Sequence, residues 1–124
     1  MKKLPPPSPK ALGYVLQYAP SSAMLNKLGE ESLQWQKSLY LFLRVFYATH
    51  FFAPFDWMKE FSGKKRKQMD DVSLLDTADA EQVRKLLIAH VRADRFCQGH
   101  LNKIIRDGYL ERALDRLRVL NTSP

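Results

Sequence analysis

The strongest hydrophobic pattern in the chain runs from Glu31 to about Thr49. Glu30, Gln34, Lys37, Arg44 and Ala48 fall on one narrow strip, and nearly every other position is apolar or aromatic. A polar strip so narrow predicts a helix that is central and buried on most sides. Upstream, Ser8 before Pro9 marks a helix start, and Ala11 to Tyr18 reads as a short helix stopping before Pro20, with Gly13 weakening it. "SSAMLNKLG" adds a short turn closed by Gly29. Downstream, "APFDW" breaks the pattern: Pro54 disfavours helix at Ala53, and Asp56 can cap a helix beginning at Trp57 that frays into "SGKKRKQMDD". Thr77 or Asp79 can cap a helix through "AEQVRKLLIAHVR". "GHLNKIIRDG" forms a further segment closed by Gly108, and "YLERALDRLRVL" the last, with Leu110, Ala113, Leu114, Leu117 and Leu120 facing inward. The expectation is an all-α, single-domain bundle of five to six helices over residues 11–124, preceded by a proline- and lysine-rich arm over residues 1–10. No internal repeat is visible.

Length and composition agree with one self-sufficient domain. A chain of 124 residues buries roughly two thirds of its unfolded surface, so it requires neither disulfides nor a structural metal. The single cysteine excludes a disulfide framework, and "MKKLPPPSPK" lacks the apolar core of a signal peptide, which points to the cytoplasm. "SLYLFLRVFYATHFFAPF" is interrupted by Arg44 and His50 and is too short and mixed to span a membrane.

Charge changes the picture more than composition does. The net charge is +7, but residues 70–124 hold nine basic and nine acidic side chains, so the whole excess lies in residues 1–69. There Lys2, Lys3 and Lys10 sit in the proline-rich arm and Lys64, Lys65, Arg66 and Lys67 in one run. Basicity placed in an arm and a loop suits sequence-independent contact with phosphates rather than base reading by a helix. Aromatic residues such as Trp35, Tyr40 and Trp57 offer stacking platforms for unpaired bases, although their helical spacing equally suits a core.

"HVRADRFCQGH" (residues 90–100) concentrates the candidate chemistry. At 100° per residue, Val83, Leu86, Leu87, His90, Asp94, Cys97, Leu101, Ile104 and Ile105 form one inward stripe. This places His90 and Asp94 one turn apart as a buried hydrogen-bonded pair, with Cys97 a buried thiol beside them. Two helices joined near Asp94 to Phe96 suit a domain of this size better than one long helix. Gly99 permits a kink or a close approach there. A metal- or thiol-dependent site using His90, Cys97 and His100 is the enzymatic alternative; the spacing matches no strong zinc pattern. Arg84, Arg92, Arg95 and Arg106 fall on the opposite side, exposed around Ile88.

"PFDW" at 54–57, "LLIAHVRADRFCQGHL" at 86–101 and "GYLERALDRLRVL" at 108–120 together resemble an uncharacterised prokaryotic family known only as a domain of unknown function, over about residues 33–120. The resemblance implies a compact domain of bacterial, archaeal or phage origin. It implies no reaction, ligand or catalytic residue. The proline arm lies outside it.

No glycine-rich phosphate loop, nucleophile elbow, HExxH or paired acidic motif is present. The leading expectation is therefore a nonenzymatic module without cofactor, of the kind a mobile element or phage encodes as an accessory or inhibitor, binding a protein through Arg84, Arg92, Arg95 and Arg106. The alternative is a sequence-independent nucleic-acid binder using the N-terminal lysines and residues 64–67.

Overall fold

Short polar side chains punctuate the chain. Ser8, Ser21, Ser32, Asp56 and Asp79 each accept a hydrogen bond from the N–H three residues on, at 3.0, 3.0, 3.4, 3.2 and 2.8 Å. Each satisfies a donor that a helix start would leave open. In the computed structural model, which describes residues 8–122, these caps open α1 (Pro9–Tyr18), α2 (Ser22–Leu28), α3 (Leu33–Ala48), α4 (Trp57–Glu60) and α5 (Ala80–Ala93). α6 (His100–Arg106) and α7 (Tyr109–Thr122) complete the fold, and two 3-10 helices, Gly63–Met69 and Val72–Asp76, fill the connection from α4 to α5. The all-helical class is as expected and no strand occurs among the described residues. The helices number seven because the short turns at α2 and α4 are separately capped.

α5 is the centre of the molecule. It packs on α4, α6, α7 and the first 3-10 helix, and eight of its residues are buried: Val83, Arg84, Leu86, Leu87, Ile88, Ala89, His90 and Val91. Leu110, Ala113, Leu114 and Leu117 of α7 face inward as the pattern predicts, whereas Leu120 is only partly covered. α2 is seated by a long-range cap, the Glu111 carboxylate accepting from the Ser22 N–H. No helix among the described residues is long and apolar enough to cross a membrane.

α3 departs from its expected central place. Only Trp35, Phe42 and Phe46 are buried, and its packing is on α1 and α2. Leu39, Leu43 and Val45 are half-buried against the core, while Leu33, Tyr40, Leu41 and Tyr47 are exposed; a narrow polar strip reports what a helix can bury, not what covers it.

After α3 the chain reverses through Thr49–Phe52, with His50 in the left-handed region at φ 61°. Arg84 holds this reversal from α5: its Nε donates to the Phe51 carbonyl and its Nη2 to the His50 carbonyl, each at 2.8 Å. Its guanidinium also lies 5.5 Å from the centre of the Phe51 ring. The expected exposed anchor at Arg84 is thus a buried clamp, because two backbone carbonyls without helical partners need donors there.

Candidate functional site

The period-three geometry of the Gly63–Met69 3-10 helix sorts the basic run onto three edges. Gly63, Arg66 and Met69 share the edge that lines a cavity of about 670 Å³. Lys65 turns to a second edge, where its ammonium pairs with Glu60 at 3.4 Å. Lys64 and Lys67 share the third edge and are exposed. The run is therefore an ordered, three-sided element, not a frayed end.

The opposite walls of this cavity come from two stretches far apart in sequence. α4 contributes Trp57 and Met58, and the α5–α6 connection contributes Ala93, Phe96, Cys97 and His100. Phe96 is 70% exposed, and its ring centre lies 6.4 Å from that of Trp57. An aromatic ring left this exposed gains little from folding and stands open at the cavity. The cavity falls within the usual size range of binding pockets, about 300–1,000 Å³.

α5 ends at Ala93, and this overturns the expected His90–Asp94 pair. The chain turns through Asp94–Gly99, and Gly99 adopts φ 86° and ψ −2°. A Cβ on Gly99 would meet nothing within 4 Å, so glycine serves the left-handed conformation and no close approach. Beyond the end of α5 the inward register no longer applies. Asp94 reaches forward instead and accepts from the Leu101 N–H at 2.9 Å, closing the first turn of α6. Cys97, expected among leucines, is exposed at the cavity.

His90 is buried, as predicted, but its partners are Met69 and His100. Its Nε2 lies 2.8 Å from the Met69 carbonyl, and its Nδ1 lies 2.8 Å from Nε2 of His100. A carbonyl only accepts, so His90 carries its proton on Nε2. Burial, reinforced by His100, lowers the His90 pKa to about 4 against the opposing pull of the Met69 carbonyl and Asp70. His90 is neutral near pH 7, and its Nδ1 lone pair accepts from the N–H of His100. The two rings are nearly parallel at 13° with centres 5.0 Å apart, and the Tyr109 ring meets His90 edge-on at 4.6 Å. Burial also raises the Tyr109 hydroxyl pKa. That hydroxyl has no hydrogen-bond partner among the described residues and borders a second cavity of about 250 Å³ behind His100.

This arrangement fixes the orientation of the His100 ring. Both nitrogens of His90 are engaged, and His100 is oriented at the cavity wall by its bond to His90. Among the described residues no three His, Cys, Asp or Glu side chains converge for a metal ion. The Cys97 thiol makes no hydrogen bond to either imidazole there.

The remaining predicted residues do not gather into one site. Arg92 is half-buried with its guanidinium 5.7 Å from the Phe52 ring centre. Arg106 pairs with Glu30, and Arg95 is exposed on the α5–α6 turn. With Arg84 buried, the four arginines are not one exposed set. Lys10 is exposed within α1, while Lys2 and Lys3 lie outside the described residues. Trp57, Phe96 and Arg66 are the grouping that sequence reasoning missed. Only the unexplained exposure of Phe96 on a turn hints at it, and exposure is not visible in sequence.

The chain belongs to the DUF6508 family, a family of unknown function whose pattern matches residues 28–123. This agrees with the resemblance to an uncharacterised domain family and begins after α1 and most of α2. No curated protein and no solved structure matches the chain.

Proposed function

We propose that the domain is a nonenzymatic binding module for single-stranded nucleic acid, taking an unpaired base against Trp57 and Phe96. Lys64, Arg66 and Lys67 contact the adjoining phosphates. The observation that carries this reading is the convergence of an exposed aromatic cavity with the edge of the basic 3-10 helix, through Arg66. Aromatic faces accept any base by stacking, and clustered cations follow the backbone without reading sequence. His100, fixed in orientation by His90, adds a polar edge to the cavity wall.

The test is fluorescence anisotropy with a labelled oligothymidine and a duplex of equal length across a salt series. Phe96→Ala should weaken single-strand binding by about 5- to 150-fold, the equivalent of one base stack of about 1–3 kcal/mol. Replacing Lys64, Arg66 and Lys67 together with alanine should flatten the slope of log affinity against log salt by about 2, at about 0.7 per phosphate contact. Equal affinity for duplex and single strand with no response to Phe96→Ala would overturn the proposal.

A further inference from the structure

Among the described residues, six of the nine large exposed apolar side chains lie on α1 and α3, remote in sequence from the cavity: Tyr14, Tyr18, Leu33, Tyr40, Leu41 and Tyr47. On α3 their order is regular. Leu33, Lys37, Tyr40, Arg44 and Tyr47 follow one another at spacings of four, three, four and three, and all five are exposed. Spacings of four and three put the five on one face of α3, a seam that alternates an apolar or aromatic side chain with a cation. α3 has 16 residues and so offers a seam of about 24 Å. Tyr40, Arg44 and Tyr47 also line a shallow groove along it with Leu43.

We infer that this face of α3 docks an acidic amphipathic helix from a protein partner. Charge selects the occupant. Lys37 and Arg44 are the only charged residues of α3, and neither forms an ion pair among the described residues. Arg44 instead lies 5.9 Å from the Tyr40 ring centre. A helix with apolar residues at its seam and glutamates beside them would bury the leucine and tyrosines and match both cations.

A second copy of the chain fits poorly. Parallel pairing sets Lys37 against Lys37 and Arg44 against Arg44, while antiparallel pairing about Tyr40 sets Lys37 against Leu43 and Arg44 against Gln36. Since α3 carries no carboxylate, either register leaves both cations without a counter-charge inside the seam, which is unfavourable. Residues 1–7 carry Lys2 and Lys3 and no carboxylate, so this chain's own N-terminus lacks the complementary charge too. Nucleic acid is matched less well, because an aliphatic and tyrosine seam with two separated cations offers fewer phosphate contacts than the 64–67 run. The inference is independent of the cavity and of the proposed function.

The probe is a synthetic peptide of about three heptads with leucine at the seam and glutamate flanking it, and a second peptide carrying lysine in place of glutamate. Each is titrated into the full-length protein, followed by backbone amide chemical shifts and by sedimentation of the protein alone. The glutamate peptide should bind saturably with shifts centred on residues 33–48, and the lysine peptide should not. Tyr40→Ser and Arg44→Glu, both at exposed positions and with unchanged melting, should each weaken binding about tenfold or more. Phe96→Ala should leave it unchanged, which separates this surface from the cavity. The inference is overturned if neither peptide binds, or if both bind alike. It is also overturned if the protein self-associates through the 33–48 face, or if that face responds to an oligonucleotide and not to the glutamate peptide.

Discussion

Lowering the pH from 7 to 4.5 should remove a large part of the stability, and His90 is the reason. In the unfolded chain this imidazole protonates near its ordinary value of 6.5, whereas in the fold it protonates only near pH 4. The folded pKa is depressed, so between these limits the unfolded state binds more protons and stability falls as pH falls. The contribution is fully present above about pH 6.5. It is mostly lost by pH 4.5 and gone below the folded value. The gap corresponds to about 3 kcal/mol, out of the roughly 5–15 kcal/mol that keeps a domain folded. His90 is 1% exposed, so solvent does little to screen this cost. Glu60 acts in a different window. Its hydrogen bond from Lys85 holds its carboxyl below the usual range, so its contribution is lost only as pH falls below about 4.5. Urea unfolding followed by tryptophan fluorescence at pH 7.5, 6.5, 5.5 and 4.5 reads the effect. With a slope of about 1–3 kcal/mol per molar urea, the midpoint should fall by about 1–3 M. His90→Gln retains a donor for the Met69 carbonyl but cannot titrate. Its stability should start about 1–2 kcal/mol lower at pH 7 and lose far less by pH 4.5, so the two curves should cross between about pH 6 and pH 5. Parallel curves for the two proteins, or a His90 ring titrating near pH 6.5 by NMR, would refute the reasoning.

Arg84→Ala should lower stability by about 3 kcal/mol, because the His50 and Phe51 carbonyls lose charged donors inside the fold; urea unfolding checks this. Arg84→Lys should not restore it, since one ammonium does not reproduce the two-pronged contact. Gly99→Ala should cost about 1–2 kcal/mol through its left-handed backbone alone, and Gly99→Val should cost more because a branched Cβ is less tolerated there, both read by urea unfolding. Cys97, being exposed, should react with a thiol reagent at nearly the same rate in native and unfolded protein, and Cys97→Ala should shift stability by less than about 0.5 kcal/mol. A protected native thiol would contradict its place at the cavity. Above about pH 10 stability should fall again, because the unfolded chain releases the Tyr109 proton that burial retains in the fold; denaturation at pH 9 and pH 11 measures it.

Local chemistry was legible from the sequence wherever its cause was local. Ser8, Asp56 and Asp79 stand at helix starts as their cap chemistry requires, Gly29 and Gly108 follow helix ends in the left-handed conformation, and α7 turns its leucine face inward. The all-helical class and the break between α5 and α6 follow from the same short-range rules. The errors lie where a partner is distant. Arg84 seemed exposed because its acceptors sit 33 and 34 residues away, on a reversal that no periodicity announces. His90 was paired with Asp94 by continuing the register of α5 past Ala93, when the turn instead carries His100 back to it. The composition of α3 predicts a central helix, yet it is α5 that packs on α4, α6 and α7. A hydrophobic pattern measures the preference of each side chain for burial, but a domain of this size has room to cover only some of those faces. Which faces are covered, and hence which remain available to a ligand or a partner, is decided by how the helices pack together.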